Sequence, residues 1–76
     1  MIYKCEDINL AASLLTFKDF TFDGLVEDGE TKKMCVGIGY KSKRNLIEKL
    51  ELHLNKSLTV NFEKYKSNLN MLGRRI

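Results

Sequence analysis

The sequence predicts a small α+β domain, an antiparallel sheet with helices on one face, and three observations carry that expectation. The stretch MCVGIGY at 34–40 alternates, with Met34, Val36, Ile38 and Tyr40 on one face and Cys35, Gly37 and Gly39 on the other, the period of a strand. Soon after it, NLIEKLELHLN gathers Leu46, Ile47, Leu50 and Leu54 within an arc of roughly 100°, the stripe of a helix packed on a sheet. Between them and the N-terminal third, an Asp28-Gly29 pair separates two alternating runs, and such a pair supplies the positive φ that hairpins need.

Taken in order, residues 2–5 read as a short first strand and Asp7 as the N-cap of a helix over 8–15, where Ile8, Ala11, Ala12 and Leu15 share one face. From Lys18 the pattern has period two, with Phe20, Phe22 and Val26 on one side and Thr21, Asp23 and Glu27 on the other. Residues 18–26 and 31–40 therefore form the expected hairpin, and Gly24 marks a bulge. Ser42 stands where the period changes and caps the helix at 43–55 through its hydroxyl. Leu58, Val60 and Phe62 then alternate with Thr59, Asn61 and Glu63, which predicts a last strand. The order becomes β-α-β-β-α-β, the ferredoxin-like arrangement of two helices over a four-stranded sheet; the alternative is a three-stranded sheet with one principal helix. Residues 1–65 make the domain, and 66–76, polar apart from Leu69, Met71, Leu72 and Ile76, form a turn or docked tail. The expected core is Phe20, Phe22, Met34, Val36, Ile38, Leu46, Ile47, Leu50, Leu54, Val60 and Phe62.

A chain of 76 residues makes one domain and buries only about 60% of its unfolded surface, so each core residue matters. Two cysteines are too few for a disulfide scaffold, and no secretory pattern opens the chain; the expectation is a reducing cytoplasm and two buried or half-buried thiols. No apolar run approaches the roughly 20 residues of a membrane helix, so no membrane partner is expected. Ten lysines and six asparagines against two alanines and no proline or tryptophan fit an A/T-rich coding sequence, as in a low-GC bacterium, its phage or a plasmid. The net charge of +3 is compatible with nucleic acid or an acidic protein as partner.

Catalysis has little to stand on. The single histidine, His53, falls at the edge of the helix's apolar arc, and a zinc site would need Cys5, Cys35 and His53 to converge without any of the paired spacings of zinc modules. Ser42 and Ser57 have no base beside them in sequence, and Gly37-Ile38-Gly39 lacks the third glycine of a nucleotide fingerprint. The expectation is no catalytic residue, no metal and no cofactor. Those glycines are better explained by a close approach to the second face of the strand. The basic strand-to-helix junction is the stronger feature. Lys41, Lys43 and Arg44 surround the free amides of a helix start, where cations cost roughly 0.3–1 kcal/mol until an anion arrives between them. Lys33 is a supporting phosphate contact, and Lys32, Arg74 and Arg75 extend the basic surface only if the fold gathers them.

Two families resemble this stretch. Lys18-Asp19-Phe20, Gly37-Ile38-Gly39 and Ser42-Lys43-Arg44 are similar to the Lys-x-Phe, Gly-x-Gly and Ser-Lys-Lys of a double-stranded-RNA-binding domain, and the resemblance implies phosphate contacts by Lys43 and Arg44. It departs from that pattern by one extra residue before the serine, by Ile47 where the family has another phosphate-binding lysine, and by a short amino-terminal part. GYKSKRNLIEKL is also similar to the strand-to-helix turn of the DNA-binding amino-terminal domain of tyrosine integrases. A capped basic helix after a strand is enough to produce both motifs, and neither family is assigned. An aromatic stacking platform for bases is not expected, because the second face of residues 33–39 carries Cys35, Gly37 and Gly39.

The functional expectation is a non-enzymatic binding module that contacts nucleic-acid phosphate through Lys33, Lys41, Lys43 and Arg44. The alternative is a protein-interaction module, an inhibitor or adaptor of a larger and nucleic-acid-handling protein. Its candidate contacts are Leu25, opposite the inward phenylalanines, and Leu52, opposite the helix's buried arc.

Overall fold

The computed structural model describes residues 1–75, which run β1 (Ile2–Cys5), α1 (Ile8–Leu14), β2 (Phe20–Glu27), β3 (Met34–Tyr40), α2 (Lys43–Leu54) and α3 (Phe62–Arg75). The class is α+β, with a three-stranded antiparallel sheet in the order β1-β3-β2. Its radius of gyration, 11.8 Å, is close to the roughly 11 Å of a single packed domain of this length. Among the described residues, no helix is long and apolar enough to cross a membrane.

β3 lies in the middle because it pairs on both sides: Tyr3 with Ile38 and Cys5 with Val36 on β1, Phe20 with Tyr40 and Phe22 with Ile38 on β2. Residues paired directly share a face, so Tyr3, Cys5, Phe20, Phe22, Val36 and Ile38 point together into the core. The centre of that face is taken by α1. Asp7 caps it as expected, its Oδ1 accepting from the amides of Asn9 at 2.9 Å and Leu10 at 3.4 Å. Leu10, Ala11, Ala12 and Leu14 are buried, the alanines leaving room for close packing. α3 runs beside α1 in the same direction: the Tyr65 hydroxyl donates to Asn9 Oδ1 at 3.0 Å and the Asn68 amide donates to the Ala12 carbonyl at 3.1 Å. Leu72 closes the core from this side.

The fourth strand expected over 58–63 is not formed. Asn61 accepts from the Lys64 amide through Oδ1 at 3.0 Å and from the Tyr65 amide through its carbonyl at 2.9 Å, which is a helix cap. Glu63 sits favourably in the first turn, and Tyr65, Leu69 and Leu72 recur at helical spacing against the core. The cap and this longer stripe outweigh a six-residue alternation. Phe62 is therefore 70% exposed and Val60 only half-buried, and most of the segment expected as a tail is helix; Ile76 lies outside the described residues.

The principal helix packs less deeply than its stripe suggests. Leu46 is buried and Leu50 half-buried, but Ile47 is 44% and Leu54 79% exposed, because α1, with α3 packed beside it, occupies the sheet face that α2 was expected to cover. Met34 is 57% exposed at the hairpin end of β3. α2 ends in a Schellman turn, with the Ser57 amide donating to Leu52 O at 2.8 Å and the Lys56 amide to His53 O at 3.0 Å. Lys56 takes the left-handed position, at φ 56°.

Gly24 does mark a bulge. Phe22 faces Ile38 and Leu25 faces Val36, so Asp23 and Gly24 together oppose Gly37, and Gly24 has φ 83°. The extra residue turns the remainder of β2 over. Leu25, expected on the outer side, joins the core face half-buried, and Val26, expected inside, pairs with Cys35 on the outer face. In the hairpin loop, the positive φ falls on Lys32, at 57°, rather than on Gly29. The loop is longer than a two-residue turn, closed by Lys32 N to Asp28 O at 2.7 Å and Asp28 N to Lys33 O at 2.9 Å.

Candidate nucleic-acid interface

β3 and α2 meet at Lys41 and Ser42, and the register of the hairpin delivers a second segment to the same place. Phe20 pairs with Tyr40, so Lys18 and Asp19 arrive beside the junction. Ser42 Oγ accepts from the Asn45 amide at 3.3 Å, fixing the helix start, and no acidic residue stands in the first turn of α2. Asp19 supplies a carboxylate instead, its Oδ2 accepting from the Asn45 side-chain amide at 2.7 Å.

A groove of about 240 Å³ opens here on the sheet's outer face. Lys18 and Lys41 line it together, with Tyr40, Asp19, Thr21 and Asp23. Gly39 is its bare floor: a Cβ there would meet Asp23 Oδ2 and Thr21 Oγ1, each at 2.6 Å. Lys18 also lines a second groove, with Phe17, Lys64 and Ser67. Lys49 Nζ lies 4.5 Å from the centre of the Phe17 ring, a cation over an aromatic face. Lys41, Lys43 and Arg44, all exposed, thus continue through Lys18 toward Lys64.

Lys33 does not join them. It precedes β3 while Lys41 follows it, and eight residues of extended chain separate the two by about 25 Å. Arg75 is also engaged elsewhere, its guanidinium 5.1 Å from the Phe22 ring centre. Of the leucines expected as protein contacts, Leu52 is 39% exposed, whereas the bulge has taken Leu25 into the core face. Lys18 and Asp19 entered the sequence reading only through the Lys-x-Phe likeness, with no contact assigned to them, and Lys64 was not singled out. Lys18 and Asp19 were within reach of it, since pairing the ends of the hairpin aligns residue 18 with the junction; Lys64 was hidden by assigning its segment to a strand and tail.

The residues weighed for zinc lie apart. Cys5 is on the core face opposite Val36, Cys35 is on the outer face, and His53 Nε2 is 3.9 Å from Asp7 Oδ2. Burial pushes the Cys5 thiol up to about 11 and raises the Tyr3 phenol and the Cys35 thiol, with nearby carboxylates adding to the rise. None of these three groups lines the groove between Lys18 and Lys41. No family model, no curated protein and no solved structure matches this chain.

Proposed function

We propose that the protein is a non-enzymatic, cytoplasmic binding module that holds nucleic-acid phosphate at the start of α2. The observation that carries this reading is the convergence of Lys18 and Lys41 in one groove beside a helix start that carries Lys43 and Arg44. Helix amides and lysines act on an anion in the same direction, and the outer sheet face leaves the approach open. Asp19 and Asp23 limit the local excess of positive charge, which favours an extended polyanion that spans several cations over a single small anion.

The test is titration of a labelled duplex DNA or RNA at several salt concentrations. Each neutralised phosphate contributes roughly −0.9 to the slope of log affinity against log salt on duplex DNA, so three or four contacts give a slope of about −3. Lys18→Glu and Lys43→Glu/Arg44→Glu should each weaken binding and flatten that slope. Recovery from the native host of one nuclease-resistant protein partner, bound equally well by the Lys43→Glu/Arg44→Glu protein, would sink the phosphate reading.

One observation favours a second reading, a protein-interaction module that regulates a nucleic-acid-handling partner. α2 leaves Ile47, Leu52 and Leu54 exposed, and Phe62 stands free at the start of α3. An apolar interface would depend far less steeply on salt and more on truncating these side chains.

A further inference from the structure

The opposite end of the sheet gathers three potential metal ligands, one from the end of each strand. Glu6 follows β1, Asp28 follows β2 and Cys35 is the second residue of β3, and their ligand atoms all lie within 4.8 Å of one another. They meet on the outer face. Cys35, a residue only 2% exposed, is the anchor, its sulfur within 4.8 Å of a carboxylate oxygen of each of the other two.

That thiol is poorly satisfied by the protein alone. Cys5 donates to the Asp7 carbonyl at 3.2 Å, an ordinary thiol hydrogen bond, whereas the single contact of Cys35 is to the Lys33 carbonyl at 3.8 Å. Its lone pairs receive no donor among the described residues. A divalent cation would satisfy all three groups at once.

We propose that Glu6, Asp28 and Cys35 form a binding site for a zinc-like divalent transition metal. A thiolate with two carboxylates suits a borderline-soft ion, not calcium or magnesium, which take oxygen ligands alone. Ligands about 2.0–2.3 Å from zinc lie about 3.5 Å from one another, so the trio must close by about 1 Å. Glu6 is exposed and can supply that movement. On binding, the Cys35 S–H bond breaks, the sulfur's electron pair forms the metal–sulfur bond, and one proton passes to solvent. Water fills the remaining coordination position.

Cobalt(II) substitution tests this directly, because thiolate ligation gives a near-ultraviolet sulfur-to-cobalt charge-transfer band. The whole chain should bind one cobalt per molecule with that band, zinc should displace it, and magnesium in excess should not. Cys35→Ala should remove the band, and Cys5→Ala, on the other face, should keep it. Glu6→Gln, whose exposed side chain leaves folding undisturbed, should keep the band and weaken binding by at least the roughly 10- to 100-fold that loss of a supporting group costs at metal sites. The proposal is overturned if the native chain shows no band, if Cys35→Ala retains it, if Cys5→Ala loses it, if Glu6→Gln binds as tightly as the native chain, or if one metal requires two chains. The site lies about 20 Å from the basic junction, at the other end of β3, so its failure would leave the nucleic-acid reading untouched.

Discussion

The Asn45 side-chain amide donates to Asp19 Oδ2 at 2.7 Å, tying the segment before β2 to the first turn of α2. Through it a helix start with two cations and no acid of its own receives a carboxylate from residue 19. Asp19→Asn keeps an acceptor for Asn45 and removes the charge. If phosphate binds at this helix start, the substitution should raise affinity about two- to fivefold, the range set by a single charge at a helix terminus. Fluorescence anisotropy with a labelled oligonucleotide reads the change, and unaltered or weaker binding would place the phosphate elsewhere.

Lys56 holds a left-handed backbone at φ 56° to complete the Schellman turn of α2. A side chain in that region costs roughly 1–2 kcal/mol, part of which glycine returns as unfolded-state entropy. Lys56→Gly should therefore stabilise the fold by about 0.5–1 kcal/mol, visible as a higher urea midpoint with an unchanged slope. A lower midpoint would mean that the Lys56 side chain makes a stabilising contact outside the turn.

Local chemistry was well legible in the sequence: the Asp7 and Ser42 caps, the strand at residues 2–5, the bulge at Gly24 and the helix beginning at Lys43 all stand where residue type and spacing put them. Competition between elements was not. Nothing local says that Ala11, Ala12 and Leu14 outrank Ile47 and Leu54 for the sheet face, because that depends on how closely a helix with small residues can approach. The same gap explains why 58–63 was read as a strand when Asn61 caps a helix. Of the candidate site, the residues contiguous in sequence were legible. Lys18 required the hairpin register, and the Glu6, Asp28 and Cys35 cluster required the order of all three strands.

Leucines that look alike in the sequence differ sharply in cost. Leu72 is fully buried between α3 and the rest of the core, and Leu54 is almost free of it. Leu72→Ala should destabilise the protein by about 2–5 kcal/mol. Leu54→Ala should change stability by no more than about 0.5 kcal/mol, as for a surface position. Paired chemical denaturation curves decide the matter; equal costs would put α2 deeper in the core than it stands.

Burial raises the Cys5 thiol from an ordinary 9.0 to about 11. Between those values the unfolded chain loses this proton and the native chain keeps it, so stability is intact below pH 9 and declines as pH rises toward 11. Tyr3 and Cys35 shift in the same sense. Denaturation midpoints at pH 8 and pH 10.5 should show the decline in the native chain and a shallower one in Cys5→Ala. Parallel declines would assign the alkaline loss to other groups.

The bulge at Asp23 and Gly24 also changes how β2 carries information. Up to Phe22 the inward letters are the even-numbered residues, and from Leu25 they are the odd-numbered ones, so the strand is written in two phases joined at a glycine. Deleting Gly24 would remove the bulge yet keep Leu25 inward and Val26 outward, because Asp23 alone would then oppose Gly37 and the run from Phe22 through Leu25 would alternate without a break. A chain of the same shape lacking this bulge is one residue shorter here, and position-by-position comparison of the two without a gap at Gly24 would set buried residues against exposed ones.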